Sequence, residues 1–389
     1  MDIGGLISQQ TRSLFPFKWP RDGIKYLGIY ITPTVEQLYT ANYSRLITKI
    51  REDVDRWTVL PLSLLGRVET VRMNILPRLL YPFQMLPISV PTQTFNSLNK
   101  LISRFIWQGK RPRIRFKTIQ LAKTAGGLAL PNFKYYFWAA QLRPITSWLE
   151  DDESTRWLNI EKHMCTQTRL AALPFSGYNL VTENMSIWST FTTKIWREVQ
   201  KEFKLPSQTS GLTSIGCMKE FVPSRLDAGF GQWRTLGLEF VHQLFRLDVL
   251  KSFEQLSDEF NLPRTDFFRF LQLRHFLERH ENWDKIRNPS ELESFLIDIQ
   301  RWVLPEKVIS CIYQILLSMA SHDSLYIKLK WEAESQQEIT QEEWVVACEE
   351  AHKVTNSNSW REYQWKIMTS FVSLFREISP FGISSALQI

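Results

Sequence analysis

Residues 36–57 read EQLYTANYSRLITKIREDVDRW, and the spacing of their apolar side chains decides the fold class. The apolar residues recur every three or four positions, at 39, 43, 46, 47, 50, 54 and 57. That period predicts an amphipathic helix of about six turns. Its opposite side carries charged side chains at positions 45, 49, 51, 52, 53 and 55. The chain is therefore expected to be mainly α.

The segments on either side extend this helical pattern. Before it, Lys25–Ile31 is rich in β-branched and aromatic residues and predicts a strand, which Pro33 ends. After it, a second helix is predicted from about Ser63, with Pro77 ending or kinking it and residues 81–87 extended. A third helix is expected from Pro91 to about Trp107, with Phe95, Leu98, Ile102 and Phe105 as its apolar side.

The second predicted helix has polar residues beside its buried face. At about 100° per residue, Leu64, Val68 and Val71 share one arc with Ile75 and Leu79. A line of polar side chains runs next to this arc, and one further arginine lies on the other flank. We call these four residues the basic stripe: Arg67, Arg72, Asn74 and Arg78.

Positive charge is concentrated in one window. Between Glu69 and Glu150 there is no Asp or Glu, whereas the same window holds twelve Lys or Arg residues. The whole chain has a net charge of +7, so the residues outside this +12 window sum to −5. Such asymmetry favours a polyanionic partner, although a domain solubilised by Lys and Arg alone remains an alternative.

The densest part of the window follows the third helix. Residues 110–117 read KRPRIRFK, and we call them the basic segment. The pattern predicts a basic loop that runs into a short strand or sheet edge. Lys and Arg neutralise phosphates, and nearby aromatic rings would offer stacking platforms, with core packing as their alternative role. The candidate cations are Lys110, Arg111, Arg113, Arg115, Lys117 and Lys123, and the candidate rings are Trp107, Phe116, Tyr135 and Tyr136.

The remaining chain predicts a second, less regular helical domain. Gly126 and Gly127 mark a turn, and a helix is expected over 133–148 with an interruption at Pro144. The charge changes sign at residues 150–154, which predicts a domain boundary there. Helical signals return over 240–298 and 306–320.

No motif for catalysis, metal or cofactor binding was found. The six histidines and four cysteines lack metal-site spacing, and no phosphate loop or nucleophile elbow is present. Asp151 and Asp152 lie in a polar linker, which favours a solvated loop over a two-metal site. No cofactor, small-molecule substrate or membrane span is expected. Widely spaced cysteines and the lack of a signal peptide favour an intracellular protein, nuclear or cytoplasmic.

An ordered series of short motifs resembles one known family. The series is similar to the reverse-transcriptase polyprotein of LINE-type non-LTR retrotransposons of the fish and amphibian type, and covers roughly residues 15–368. Its strongest parts are Lys25–Ile29, Arg56-Trp57, Leu60–Ser63, Met73–Arg78, Tyr81–Gln84, Phe105–Trp107, Lys110–Arg113, Gly126–Leu128, Leu130–Phe133 and Ala139–Arg143.

The resemblance implies a role for each part of the chain. Residues 1–22 are expected to be flexible, 23–90 to form the primer-grip strand and thumb-like helices, and 91–149 a basic post-thumb region. Residues 150–369 are expected to form a helical C-terminal domain, and 370–389 a divergent tail. The basic stripe would then lie near a template–primer duplex, and the basic segment would continue the nucleic-acid track.

The family's endonuclease and its palm, with the Ala-Asp-Asp metal motif, do not match any part of this sequence. We therefore expect a non-catalytic, nucleic-acid-binding fragment whose partner is RNA or an RNA–DNA duplex. Two alternatives stay open: a truncated transposon relic with no selected activity, and a helical module that binds another protein, such as a full-length element polymerase.

Overall fold

The structure is a computed structural model. It describes residues 8–16, 20, 22–152, 154–165, 169–175, 185–206, 209–300, 306–320, 326–353 and 355–369. The predicted divergent tail, 370–389, lies outside these residues. The described part is mainly α, as predicted, with two small antiparallel hairpins.

The helices are numbered along the chain. They are α1 (Gln9–Ser13), α2 (Val35–Tyr39), α3 (Arg45–Thr58), α4 (Leu64–Thr70), α5 (Leu76–Met85), α6 (Thr92–Ile106), α7 (Phe116–Gln120), α8 (Phe133–Glu150), α9 (Arg156–Met164), α10 (Ile187–Phe203), α11 (Pro223–Leu226), α12 (Gly229–Trp233), α13 (Phe253–Phe260), α14 (Phe267–Glu278), α15 (Trp283–Arg287), α16 (Glu291–Ile299), α17 (Val308–Met319), α18 (Tyr326–Ser335), α19 (Gln341–Lys353) and α20 (Asn358–Met368). The strands are β1 (Ile24–Tyr26), β2 (Ile29–Ile31), β3 (Phe245–Arg246) and β4 (Val249–Leu250).

The helix predicted from residues 36–57 is confirmed, with one irregular turn. A π-helical turn, Thr40–Ser44, joins α2 to α3. Asn42 lies in this turn, and its amide oxygen accepts a hydrogen bond from the Tyr30 backbone N–H at 2.8 Å. Its amide nitrogen donates to the Tyr30 carbonyl, also at 2.8 Å. The turn therefore holds strand β2 through both backbone groups of one residue.

The single strand predicted over Lys25–Ile31 is wrong, because the segment folds back on itself. β1 and β2 pair antiparallel, with Tyr26 opposite Ile29. The two residues between them, Leu27 and Gly28, have φ angles of 45° and 87°. Two successive positive φ values are typical of the type I′ turn, which glycine adopts without steric cost. The apolar composition of the segment therefore did not indicate the two-residue turn.

Three prolines that were expected to break helices do not. A π-helical turn, Val71–Ile75, joins α4 to α5, and Pro77 lies in the first turn of α5, where a missing N–H costs little. α5 then continues through Pro82 to Met85, so the predicted extended conformation of 81–87 begins only at Leu86. α8 likewise passes through Pro144.

The chain divides into two compact units: residues 1–134 together with 321–389, and residues 135–320. This division differs from the predicted single boundary at 150, because the chain changes unit after residue 134 and again after residue 320. Helices α18, α19 and α20 therefore belong to unit 1. Their contacts there are specific. The Trp365 indole N–H donates to the Gly126 carbonyl at 3.0 Å, and a Glu362 carboxylate oxygen accepts from the Leu64 N–H at 2.8 Å. That carboxylate lies at the N-terminus of α4, where negative charge is stabilised.

The core of unit 1 joins the π-helical turn Thr40–Ser44, α5 and α6. Tyr43 and Phe83 have ring centroids 6.0 Å apart, and Phe83 and Phe95 are 6.2 Å apart. All three rings are buried, and the Tyr43 hydroxyl donates to the Pro82 carbonyl at 3.0 Å. Burial of that hydroxyl raises the pKa of Tyr43 well above its ordinary value. Aromatic packing across three helices therefore fixes the frame from which the basic segment extends.

Unit 2 has its own core around Trp233. Its indole N–H donates to Asp266 at 2.7 Å, and Phe230 packs edge-on against its ring at 5.2 Å. Apolar side chains of α13 and α14 complete the cluster, including Leu256 and Leu273. Asp151 pairs with Lys162 and Arg169, which agrees with a structural role for this carboxylate.

Candidate nucleic-acid interface

The basic segment is a loop held at both ends. Behind it, α6 ends at Ile106, and the chain turns through Gln108 and Gly109 with φ angles of 53° and 74°. The Gly109 N–H donates to the Arg104 carbonyl at 2.9 Å, and the Lys110 N–H donates to the Trp107 carbonyl at 2.9 Å. These hydrogen bonds fix the start of the segment.

The far end of the segment differs from the prediction. The strand expected after the loop is wrong, because residues 116–120 form helix α7. Ile114 is buried in unit 1, and Arg115 lies at the N-cap of α7. The buried Ile114 side chain and the start of α7 hold this end. The alternation of basic and apolar residues therefore comes from one buried side chain within a loop and does not indicate a strand.

The cations of the basic segment are exposed. Lys110, Arg111, Arg113, Arg115 and Lys117 all lie at the surface. The Arg115 guanidinium lies 5.5 Å from the ring centroid of Tyr326, a cation–π distance. Lys110, Arg111 and Lys117 form no ion pair with any residue that the structure describes. The charges of these three side chains are therefore accessible to an external anion.

Arg67 requires a correction, because it was predicted to contact nucleic acid and is 1% exposed. Its guanidinium donates to the backbone carbonyls of Leu62 at 3.2 Å, Leu60 at 3.1 Å and Thr58 at 3.4 Å. A fourth hydrogen bond goes to the Phe105 carbonyl at 3.2 Å. Burial lowers its pKa, although a guanidinium remains charged at neutral pH. A phosphate has no access to this group.

Arg72 and Lys123 lie together on unit 1 but share a carboxylate. Arg72 donates to both oxygens of Glu69, at 2.8 and 2.9 Å, and the Lys123 ammonium lies 3.5 Å from the same side chain. All three side chains are partly exposed, so the cluster is a surface ion group of modest strength. Asn74 is exposed, and its amide donates to the Thr70 carbonyl at 3.2 Å.

Arg78 pairs with a carboxylate from another helix. Its guanidinium lies 2.6 Å from Asp53, which also accepts from Arg56. Hydrogen bonds from Arg78, and then from Arg56, hold the pKa of the Asp53 carboxyl below its ordinary value. The sequence pattern predicts Asp53 on the solvent side of its helix, yet it is buried. Arg78 therefore joins α5 to α3, and only part of its side chain is exposed.

The aromatic rings proposed as stacking platforms pack within the protein. Trp107 is buried in unit 1, and Phe116 is partly buried. In unit 2, Tyr135 stacks on Trp138 with a centroid distance of 5.7 Å, and Tyr136 stacks on Tyr313 at 3.7 Å. The core-packing alternative accounts for these contacts better than base stacking does.

Sequence reasoning missed the acidic partners of the basic stripe. Asp53 and Glu69 both lie outside the acid-free window, yet the fold brings them to Arg78, Arg72 and Lys123. One signal was available: Glu69 and Arg72 are three residues apart on a predicted helix, which is a pairing distance. The contact of Tyr326 with Arg115 had no such local signal.

Two further observations concern the described residues as a whole. They include no cluster of three or more metal-ligating side chains. None of their helices has both the length and the apolar character that a bilayer span requires. No protein-family model matches the chain.

Proposed function

We propose that this protein binds RNA or an RNA–DNA duplex through the basic segment. One observation carries the proposal: five Lys and Arg side chains of residues 110–117 are exposed, four on a loop that is held at both ends and Lys117 in the first turn of α7. A held loop presents its charges without a large loss of backbone freedom on binding. Phosphates that replace condensed counterions on such a surface drive salt-dependent binding.

The choice of nucleic acid rests on the resemblance to LINE-type reverse transcriptases. In that family, the thumb and the region after it follow the template–primer duplex, and the motifs that match this chain belong to those parts. The proposal covers binding and includes no catalytic step. The remaining predicted residues are at most secondary contacts. Three of them already pair with carboxylates: Arg72, Arg78 and Lys123. The fourth is Asn74, which carries no charge.

The proposal is tested by affinity measurements across a salt series. We expect the full chain to bind a single-stranded RNA and an RNA–DNA duplex with an affinity that falls steeply as salt rises. The variant Lys110→Gln, Arg111→Gln, Arg113→Gln, Arg115→Gln is expected to reduce the slope of log K against log salt by up to about 3 to 4.

A charge-matched variant separates this segment from net charge. Lys201, Lys219, Arg225 and Arg279 are exposed cations of unit 2, so changing all four to Gln removes the same charge elsewhere. This control is expected to keep the wild-type slope. Equal losses in both variants would show that binding depends on overall charge and would contradict the proposal. Absence of wild-type binding would favour the relic or the protein-binding alternative.

A further inference from the structure

Arg67 is a buried cation that backbone carbonyls surround. Its guanidinium donates to four backbone carbonyls within 3.4 Å and lies 5.0 Å from the ring centroid of Phe105. No carboxylate of the described residues pairs with it. A buried charge is costly unless polar groups surround it, so this arrangement needs a specific compensation.

Two of the four carbonyls that accept from Arg67 come from helix ends, and the other two, of Leu60 and Leu62, come from the loop between α3 and α4. Thr58 is the last residue of α3, and Phe105 lies in the last turn of α6. Carbonyls at a helix C-terminus lack intrahelical partners and carry the negative end of the helix dipole. Arg67 therefore satisfies two helix ends with one planar group, and the helix ends stabilise its charge in place of a carboxylate.

One of those ends, that of α6, lies just before the basic segment. Phe105 is five residues before Lys110, and Gln108 lies between them in the turn. With its amide oxygen turned toward the guanidinium, Gln108 accepts hydrogen bonds from Arg67 Nε at 3.3 Å and Nη2 at 3.0 Å. The Arg67 guanidinium thus contacts the backbone and the side chain of the turn that leads into the segment.

From these contacts we infer that Arg67 is a positioning residue for the basic segment. It holds the 105–109 turn against the loop between α3 and α4. The five cations of the basic segment therefore extend from a backbone whose start is fixed. This inference rests on the proposed function for its consequence in binding, whereas its structural part concerns the order of the turn itself. Arg67 touches no nucleic acid in this scheme.

Two substitutions test the inference. Arg67→Lys keeps the charge and removes the planar fork that reaches several carbonyls. Gln108→Ala removes only the side-chain contact at the exposed turn, so it is expected to leave the core intact. Hydrogen–deuterium exchange of a peptide over 106–112 reports the order of the turn, because the Gly109 and Lys110 amides are hydrogen-bonded there. A peptide from α5 reports the stability of unit 1.

Both variants are expected to exchange about tenfold faster over 106–112, because ordering one or two residues has roughly that cost. Exchange over α5 is expected to stay at the wild-type rate in Gln108→Ala. RNA affinity is expected to fall several-fold, while its salt slope is unchanged because the same cations still meet phosphates. Arg104→Lys, an exposed arginine of α6, is the matched control and is expected to change neither quantity.

The outcomes separate the inference from the proposed function. Unchanged exchange over 106–112 in both variants would overturn the positioning role, and so would equal acceleration over 106–112 and α5 in both. A reduced salt slope in Arg67→Lys would also overturn it, because that result means a lost phosphate contact. Wild-type protein that binds no RNA would refute the proposed function, and the exchange measurement would still decide whether Arg67 orders the turn.

Discussion

Arg67 of the basic stripe donates to four carbonyls in the interior, whereas Arg111 of the basic segment is exposed and forms no ion pair with a described residue. Both arginines were predicted to contact nucleic acid. The fold uses Arg67 and Arg78 to join its own elements and pairs Arg72 with Glu69 three residues away, whereas Lys110, Arg111 and Lys117 form no ion pair with a described residue. Exposure and the absence of acidic partners in space therefore decide which cations are available to a phosphate.

The difference in availability between stripe and segment depends in part on two carboxylates that lie outside the acid-free window. Asp53 lies 25 residues before Arg78, and Glu69 lies just before the acid-free window. Each accepts hydrogen bonds from the stripe. A stretch without acidic residues in sequence is thus not a surface without acidic residues.

The largest expected effect concerns Arg67. Arg67→Met removes a buried cation and leaves carbonyls of Thr58, Leu60 and Phe105 without that donor. We expect the free energy of unfolding of unit 1 to fall by about 3–5 kcal/mol, as when one partner of a buried polar cluster is removed. Urea denaturation, followed by a signal from side chains of unit 1, measures this loss in the free energy of unfolding. Arg104→Met, on the surface, is expected to cost less than about 0.5 kcal/mol, and similar values for the two would erase the contrast between stripe and surface.

The next effect concerns the pair of Arg78 with Asp53. Asp53→Asn removes the charge that holds a partly buried guanidinium, and we expect a loss of about 1–2 kcal/mol at neutral pH. The Asp53 pKa is depressed in the folded state, so its contribution is present above the unfolded pKa near 3.8 and is lost as pH falls through the folded value. The wild type should therefore lose its advantage over the variant in acid.

Denaturation of both proteins from pH 7 down to acid checks this sign. Asp55→Asn is the matched control, because Asp55 is an exposed carboxylate on the same helix. A stability difference that persists below the folded pKa of Asp53 would show that the ion pair with Arg78 is not its source.

A smaller effect is expected when Glu69 is neutralised. Glu69→Gln releases Arg72 and Lys123, so affinity for an RNA–DNA duplex should rise about two- to threefold at low salt. The salt slope should steepen by at most about 1 to 2. Glu52→Gln removes the same charge from an exposed site on α3 and is expected to have the weaker effect. An increase of the same size in both variants would mean that only net charge matters.

The smallest effect is expected for Asn74. Its side chain is exposed and donates to the Thr70 carbonyl within the same helical turn. Asn74→Ala should change the free energy of unfolding by less than about 0.5 kcal/mol and duplex affinity by less than about twofold. Asn96→Ala, at an exposed site on α6, gives the reference. A marked loss of affinity for Asn74→Ala alone would return the stripe to the interface.

Helical periodicity predicted α3 and α6, because each buries one continuous apolar side. The same pattern could not show that the chain stays helical from α4 through the π-helical turn into α5 despite Pro77, since the π-helical turn and tertiary packing compensate for one missing donor. It could not show the β1–β2 turn either, because Leu27 there has a positive φ that its residue type does not favour.

Composition located the basic segment, because five cations in eight residues cannot all be buried in a core. The partners of the stripe depended on contacts between distant elements. Trp365 with Gly126 and Glu362 with the N-terminus of α4 bring the C-terminal helices into unit 1, and no local pattern encodes such pairs. Local signals therefore predicted where charge is dense, and only the fold showed which charges are already used.

The most direct test of this account is to map where nucleic acid touches the protein. The full chain would be crosslinked by ultraviolet light to an RNA–DNA duplex that contains 4-thiouridine, and the crosslinked peptides identified by mass spectrometry. The account predicts crosslinks within residues 110–117, with few or none over 64–78. Crosslinks confined to 64–78 or to unit 2 would contradict it, because they would place the duplex on surfaces that lack the open cations of the basic segment.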